Sequence, residues 1–141
     1  MDIEIFALCD AATDYGGKLN LLGTFDTLAA RQFPTLHPHC AIALRARFER
    51  PEAGEHPFRI TIVDADGKPV APAVDGTLGV TCPPHVSSVG ANMVLNINGL
   101  KLDRPGRYSV NLSLDNRHQK SLPLTVIQAI SRPPAEGAHN P

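Results

Sequence analysis

The sequence predicts an all-β protein: an antiparallel β-sandwich of immunoglobulin-like outline, with about eight short strands and little or no helix. Three observations carry that expectation. Apolar and polar residues alternate with a period of 2 over several short stretches, as half-buried strands require. Turn chemistry (Gly, Pro, Asn, Asp) interrupts those stretches at about ten-residue intervals. The 13 prolines are scattered along the chain, and a helix interior accommodates none without losing a hydrogen bond.

The elements follow in order. Residues 3–8 are β-branched and aromatic and apolar on both faces, which suits a strand buried on both sides, although Ala7, Ala11 and Ala12 would also allow a helical turn at its end. Tyr15, Gly16 and Gly17 make a turn. Residues 18–25 alternate as a strand that leaves Leu22 as an extra apolar residue on its outer face. For residues 26–33 two readings stand: a short helix capped by Asp26, or an extended edge closed by Pro34 and Pro38, which two prolines so close together favour. The clearest strand is 40–50. Ile42, Leu44, Ala46 and Phe48 face one way and Ala43, Arg45, Arg47 and Glu49 the other. Residues 58–63 repeat the pattern, and Asp64–Gly67 turns the chain. Residues 70–82 form a looser strand weakened by Pro72, Gly76 and Gly79. Residues 91–98 form another, with Val94 outward. Residues 99–107 read as a connection, 108–114 as a strand, 115–118 as a polar hairpin turn and 122–126 as the closing strand.

A chain of 141 residues fits one domain. It is read as a single sandwich over residues 1–130 and a flexible tail over 131–141, where the apolar period stops. A net charge of -1 supplies no general attraction to nucleic acid or an anionic membrane, so nucleic acid is an unexpected partner. No apolar run is long enough to span a bilayer. The first residues hold two acids and no basic residue ahead of the apolar stretch, unlike a secretory signal, so a cytoplasmic location is expected. Cys9, Cys40 and Cys82 are odd in number and widely spaced. They read as small buried hydrophobes rather than reactive thiols, because no basic cluster adjoins them.

One local signature favours a sandwich over a barrel. Gly106 stands two residues before Tyr108, which opens an alternating strand. In immunoglobulin-like sandwiches such a tyrosine bonds back to the preceding loop and locks the corner. The cysteine pair and buried Trp of immunoglobulin domains are absent from the sequence, so that likeness is architectural. A wider likeness rests on Ile5-Phe6-Ala7-Leu8-Cys9-Asp10-Ala11-Ala12, on Gly17-Lys18-Leu19-Asn20-Leu21-Leu22-Gly23-Thr24-Phe25-Asp26, and on His37-Pro38-His39-Cys40. It continues through Gly54-Glu55-His56, Asp66-Gly67-Lys68, the Gly106–Tyr108 corner and Leu122-Pro123-Leu124, almost to residue 128. In these segments the chain resembles a family of small bacterial proteins of unknown function. The resemblance implies a bacterial cytoplasmic β protein and transfers no site.

Chemistry is sparse. His37 and His39 are spaced i, i+2, which puts them on one face of a regular strand, where both could reach a metal. Zinc needs three or four ligands and no matching pair stands elsewhere, so no metal, cofactor or catalytic residue is assigned. Asp10, Asp14 and Asp26 flank one hairpin and Asp64, Asp66 and Asp75 another. Aspartate is also the ordinary turn residue. No nucleophile turn or phosphate loop is present in the sequence. Arg45 and Arg47 share an outward face, with Arg59 expected from the next strand and Arg31 from the edge. Leu22, Val63, Val94 and Ile127 fall on nominally outer faces, and their clustering would mark a partner surface. The leading expectation is therefore a non-catalytic binding or assembly module that self-associates through a sheet face or edge, meeting a second copy or another protein. The alternative is a small hydrolase or metal-dependent enzyme with its site in the loops around Asp10, Asp14, His37 and His39.

Overall fold

A computed structural model describes residues 1–130. The expected tail, residues 131–141, lies outside the described residues. Among the described residues nine strands form two sheets: β1 (Asp2–Tyr15), β2 (Lys18–Thr24), β3 (Thr27–Ala30), β4 (Thr35–Glu49), β5 (Gly54–Val63), β6 (Val74–Val80), β7 (Ser88–Leu102), β8 (Gly106–Leu114) and β9 (Arg117–Gln128). One sheet has the order β2-β1-β4-β7 and the other β3-β9-β8-β5-β6. No α-helix occurs among the described residues; a 3-10 turn at Arg50–Glu52 follows β4. The protein is thus an all-β sandwich.

The period-2 alternation builds the core. Ile42 and Leu44 of β4 meet Ile60 of β5 and Val110 and Leu112 of β8, with Phe6, Leu8, Leu100, Leu124 and Val126 around them. A smaller cluster of Ala46, Phe48, Leu78, Val80 and Leu114 closes one end. Asp115 and Asn116, both at positive φ, form the two-residue turn between β8 and β9, so the hairpin loop is shorter than the expected 115–118.

Several elements depart from expectation; β5 and β9 start earlier than expected, at Gly54 and Arg117. Residues 27–30 form an edge strand, as two prolines favoured, but β3 runs parallel to β9 rather than antiparallel. The strand expected from residue 40 starts at Thr35, and Pro38 is accommodated within it. Residues 99–102 continue β7 rather than forming a connection, and Leu100 and Leu102 are buried. The looser strand starts only at Val74, while Val70 returns an N–H bond to the Ile62 carbonyl oxygen.

The β4–β7 ladder continues through a change of side-chain phase. In the body of this pair, even positions of β4 (Cys40, Ile42, Leu44) and odd positions of β7 (Met93, Leu95, Ile97) turn inward, directly opposite one another. Beyond Pro38 and Gly99 the phase reverses. Leu100 and Leu102 are then inward, Lys101 is exposed, and on β4 His37 lies inward of an exposed Leu36. Gly99 sits at φ +79, a conformation in which a side chain at Cβ is costly. That reversal keeps both strands in one ladder while changing which side chains reach the core.

Candidate interaction surface

The outer face of the β2-β1-β4-β7 sheet holds the clearest polar arrangement. Arg45 and Arg47 stand two residues apart on β4 and both point outward. Glu4, beside them on β1, accepts from Arg45 Nε at 3.0 Å and from Arg47 Nε at 2.8 Å, so one carboxylate bridges two guanidinium groups. Arg45 also donates to Asn92 Oδ1 at 2.9 Å and Arg47 to Ser88 Oγ at 3.2 Å, both on β7. The Arg47 and Arg45 guanidinium groups hold the Glu4 carboxyl below its usual pKa of 4.5, the hydrogen bond from Arg47 contributing most. A Cβ at Gly90 would lie 2.3 Å from an Arg45 nitrogen, so the glycine makes room for the guanidinium to lie flat.

Not all the residues singled out for this surface share it. Arg59 is on the other sheet, paired with Asp75 at 3.2 Å. Arg31 follows β3, on that sheet's edge, and its carbonyl oxygen accepts from Gln128. Leu22 (on β2) and Val94 (on β7) belong to the first sheet, whereas Val63 (on β5) and Ile127 (on β9) belong to the second. A single cluster of Arg45, Arg47, Arg59, Leu22, Val63 and Val94 is therefore not formed. The sheets separate them, because β4 and β5 are consecutive in sequence but lie in opposite layers. The outer face of the second sheet is polar around β8, where Asn111 Oδ1 accepts from Ser109 and Ser121 hydroxyls at 2.8 and 2.6 Å.

His37 and His39 do not share a face. The phase reversal turns His37 inward, with its ring 5.8 Å from that of Phe25 and its Nε2 buried without a partner. His39 stays outside, its Nδ1 2.9 Å from Asn98 Oδ1. Asp10 lies against Gly23, at the β2 end of the sheet, and Asp14 is opposite Leu19 near the β1–β2 turn. Among the described residues no three His, Cys, Asp or Glu side chains are grouped to hold a metal ion. Cys9 and Cys40 are fully buried, and burial first, then Cys9 and Asp10, pushes the Cys40 thiol up to about 11. At the corner, Tyr108 is buried and its hydroxyl donates to the Arg104 carbonyl oxygen at 2.6 Å, while Gly106 takes φ +147.

The long edge of β7 stands out next. β4 pairs with it along its whole length, and among the described residues no strand lies on its other side. Fifteen residues long, it contains no proline, and its only charged residue is Lys101, next to its end. Met93, Leu95 and Ile97 face inward yet stay partly exposed, whereas Cys40, Ile42 and Leu44 opposite them are 0% exposed. Beside this edge a cleft of about 330 Å³ opens between the sheets, walled by Leu95, Ile97, Ala71, Pro72 and Val74. Sequence reasoning assigned no role to Glu4 or to this edge. The run without charge or proline from Ser88 to Leu100 is visible in the sequence; that it forms an edge is not.

Residues 4–127 match the family described as "Family of unknown function (DUF6941)". The chain belongs to this family. Membership in DUF6941 agrees with the expected family of unknown function and brings no activity with it. No curated protein matches the chain. Among solved structures the DUF6941 chain is similar to "Pseudomonas fluorescens alkylpurine DNA glycosylase AlkC bound to DNA containing an abasic site analog", at a TM-score of 0.49 and 10% identity. That match covers 89% of this chain and 30% of the glycosylase chain.

Proposed function

We propose that this chain is a non-catalytic assembly module that pairs with a second copy of itself through the free edge of β7. The observation that carries the reading is the edge itself. A long unpaired strand offers a row of N–H and C=O groups to any passing strand, and monomeric sheet proteins blunt such edges with prolines, charges or short length. β7 has none of these over Ser88–Leu100. Antiparallel pairing about a two-fold axis would join two four-stranded sheets into one continuous sheet and cover the half-exposed Met93, Leu95 and Ile97. Because Arg45 and Arg47 are engaged by Glu4, a protein partner suits this sheet better than a phosphate backbone.

The immunoglobulin-like outline belongs to the same reading. β4 pairs with β7 in one layer, β9-β8-β5-β6 forms the other, β3 lies parallel to β9, and the tyrosine corner opens β8. A cytoplasmic site of action is part of the proposal. No helix among the described residues is long and apolar enough to cross a membrane.

Sedimentation velocity over a concentration series tests the proposal. The wild-type protein is expected to sediment as a dimer. Val94→Lys and Asn96→Lys, each placing a charge on the outer side of the edge, are expected to sediment as monomers with unchanged far-UV circular dichroism. A wild-type monomer at every concentration, or a dimer that survives both substitutions, would overturn it.

A further inference from the structure

At the end of the sandwich closed by Phe48, one histidine makes contacts that only its charged form can satisfy. His56 of β5 points its Nδ1 at both carboxylate oxygens of Asp115, 2.9 Å from each, and its Nε2 at the Glu52 carbonyl oxygen, 2.6 Å away. A carboxylate and a carbonyl oxygen only accept hydrogen bonds, so both ring nitrogens must donate, and a neutral imidazole has one N–H. The ring lies over Phe48, with centroids 4.4 Å apart, an arrangement that favours a cation against an aromatic face. The charged groups facing it are Asp115, from the β8–β9 turn, and the Glu52 carboxylate, from the 3-10 turn. The latter already accepts from the Met1 ammonium at 2.8 Å and from the Glu49 N–H at 2.8 Å.

We propose that His56 is a proton-operated latch that holds the 3-10 turn Arg50–Glu52 against the β8–β9 hairpin when charged and releases it when neutral. Burial of the ring works against the charge. The hydrogen bonds to Asp115 and Glu52 outweigh it, and the pKa lies above the ordinary 6.5. The direction follows: a group whose folded pKa is raised stabilises fully below its unfolded value and loses that contribution as pH rises through the folded pKa. The proton that leaves is the one on Nε2, because Nδ1 faces a full negative charge and Nε2 a neutral carbonyl. The Nε2 lone pair then opposes the Glu52 carbonyl oxygen, so the contact that opens is the one to the 3-10 turn. That turn carries further ties: the Glu52 carboxylate on Met1, the Arg50 N–H on the Ser87 carbonyl oxygen at 2.9 Å, next to the start of β7, and the Arg50 guanidinium on the Pro83 and Val86 carbonyl oxygens. The latch stands whether or not the chain self-associates.

NMR titration of the full chain tests it directly. The His56 ring is expected to titrate above 6.5 and its neutral form to carry the proton on Nδ1, read from the ring nitrogen shifts. Asp115→Asn, which keeps a residue at home in the left-handed turn, is expected to lower that midpoint. Amide protection of Glu49 and Ala53 is expected to fall about tenfold for each pH unit by which the folded pKa exceeds 6.5, and to be flat with pH in His56→Gln. A pH trend that persists in His56→Gln belongs to another group and overturns the latch. A midpoint at or below 6.5, or one unmoved by Asp115→Asn, overturns it as well.

Discussion

Tyr108 joins a buried ring to a hydroxyl that reaches back four residues to the Arg104 carbonyl oxygen. Removing the hydroxyl leaves the ring in the core and deletes one hydrogen bond. Tyr108→Phe is expected to lower stability by about 1 kcal/mol, seen as a lower denaturant midpoint at unchanged slope. An unchanged midpoint would show that the corner bond adds nothing. The Gly106–Tyr108 spacing was legible in the sequence because a corner is local. The histidines were not: the face each takes is set by a backbone reversal at Gly99, some sixty residues away in sequence and directly across the ladder from Pro38. Glu4 was equally silent, since its bond to Arg45 and Arg47 exists only once β1 lies beside β4.

At the scale of the element, the β4–β7 ladder depends on Gly99 taking φ +79. A Cβ there would make ordinary van der Waals contact with Leu36, the nearest atom at 3.5 Å, so the penalty for a side chain is conformational. Gly99→Ala is expected to cost about 1–2 kcal/mol, the usual expense of holding an L-residue in a left-handed conformation. Chemical denaturation measures it, and a neutral effect would mean the reversal tolerates another backbone path. Strands such as 42–48 and 58–62 could be read directly, because one face of each is buried and the other solvated. β3 could not be read fully: four residues define an edge but not the direction of its partner, and the parallel pairing with β9 depends on where the chain end returns.

At the scale of the whole molecule, three carboxylates among the described residues are held below their ordinary pKa. Glu4 is lowered chiefly by Arg47, Glu52 by the Met1 ammonium and the Glu49 N–H, and Asp64 by the Lys68 and Asp66 N–H groups. A depressed carboxylate stabilises above its unfolded pKa and loses that contribution as pH falls through the folded value. Stability is therefore expected to decline below about pH 4 on the acid side. On the alkaline side it declines as His56 loses its proton, above 6.5. Thermal unfolding across pH measures both arms. An acid arm that Glu4→Gln and Glu52→Gln leave unchanged would sink the assignment.

The sequence by itself determined the layer architecture, since period-2 alternation and turn residues act over a few positions and leave few alternatives for an apolar, proline-rich chain. It also determined that no motif would announce a reaction. The tertiary structure alone decided which strands are neighbours and which faces look outward. Those facts govern whether Arg45 meets Arg59, whether two histidines share a metal, and whether β7 keeps an open edge. Each depends on contacts between residues far apart in the chain, and side-chain period carries no information about which strand lies alongside.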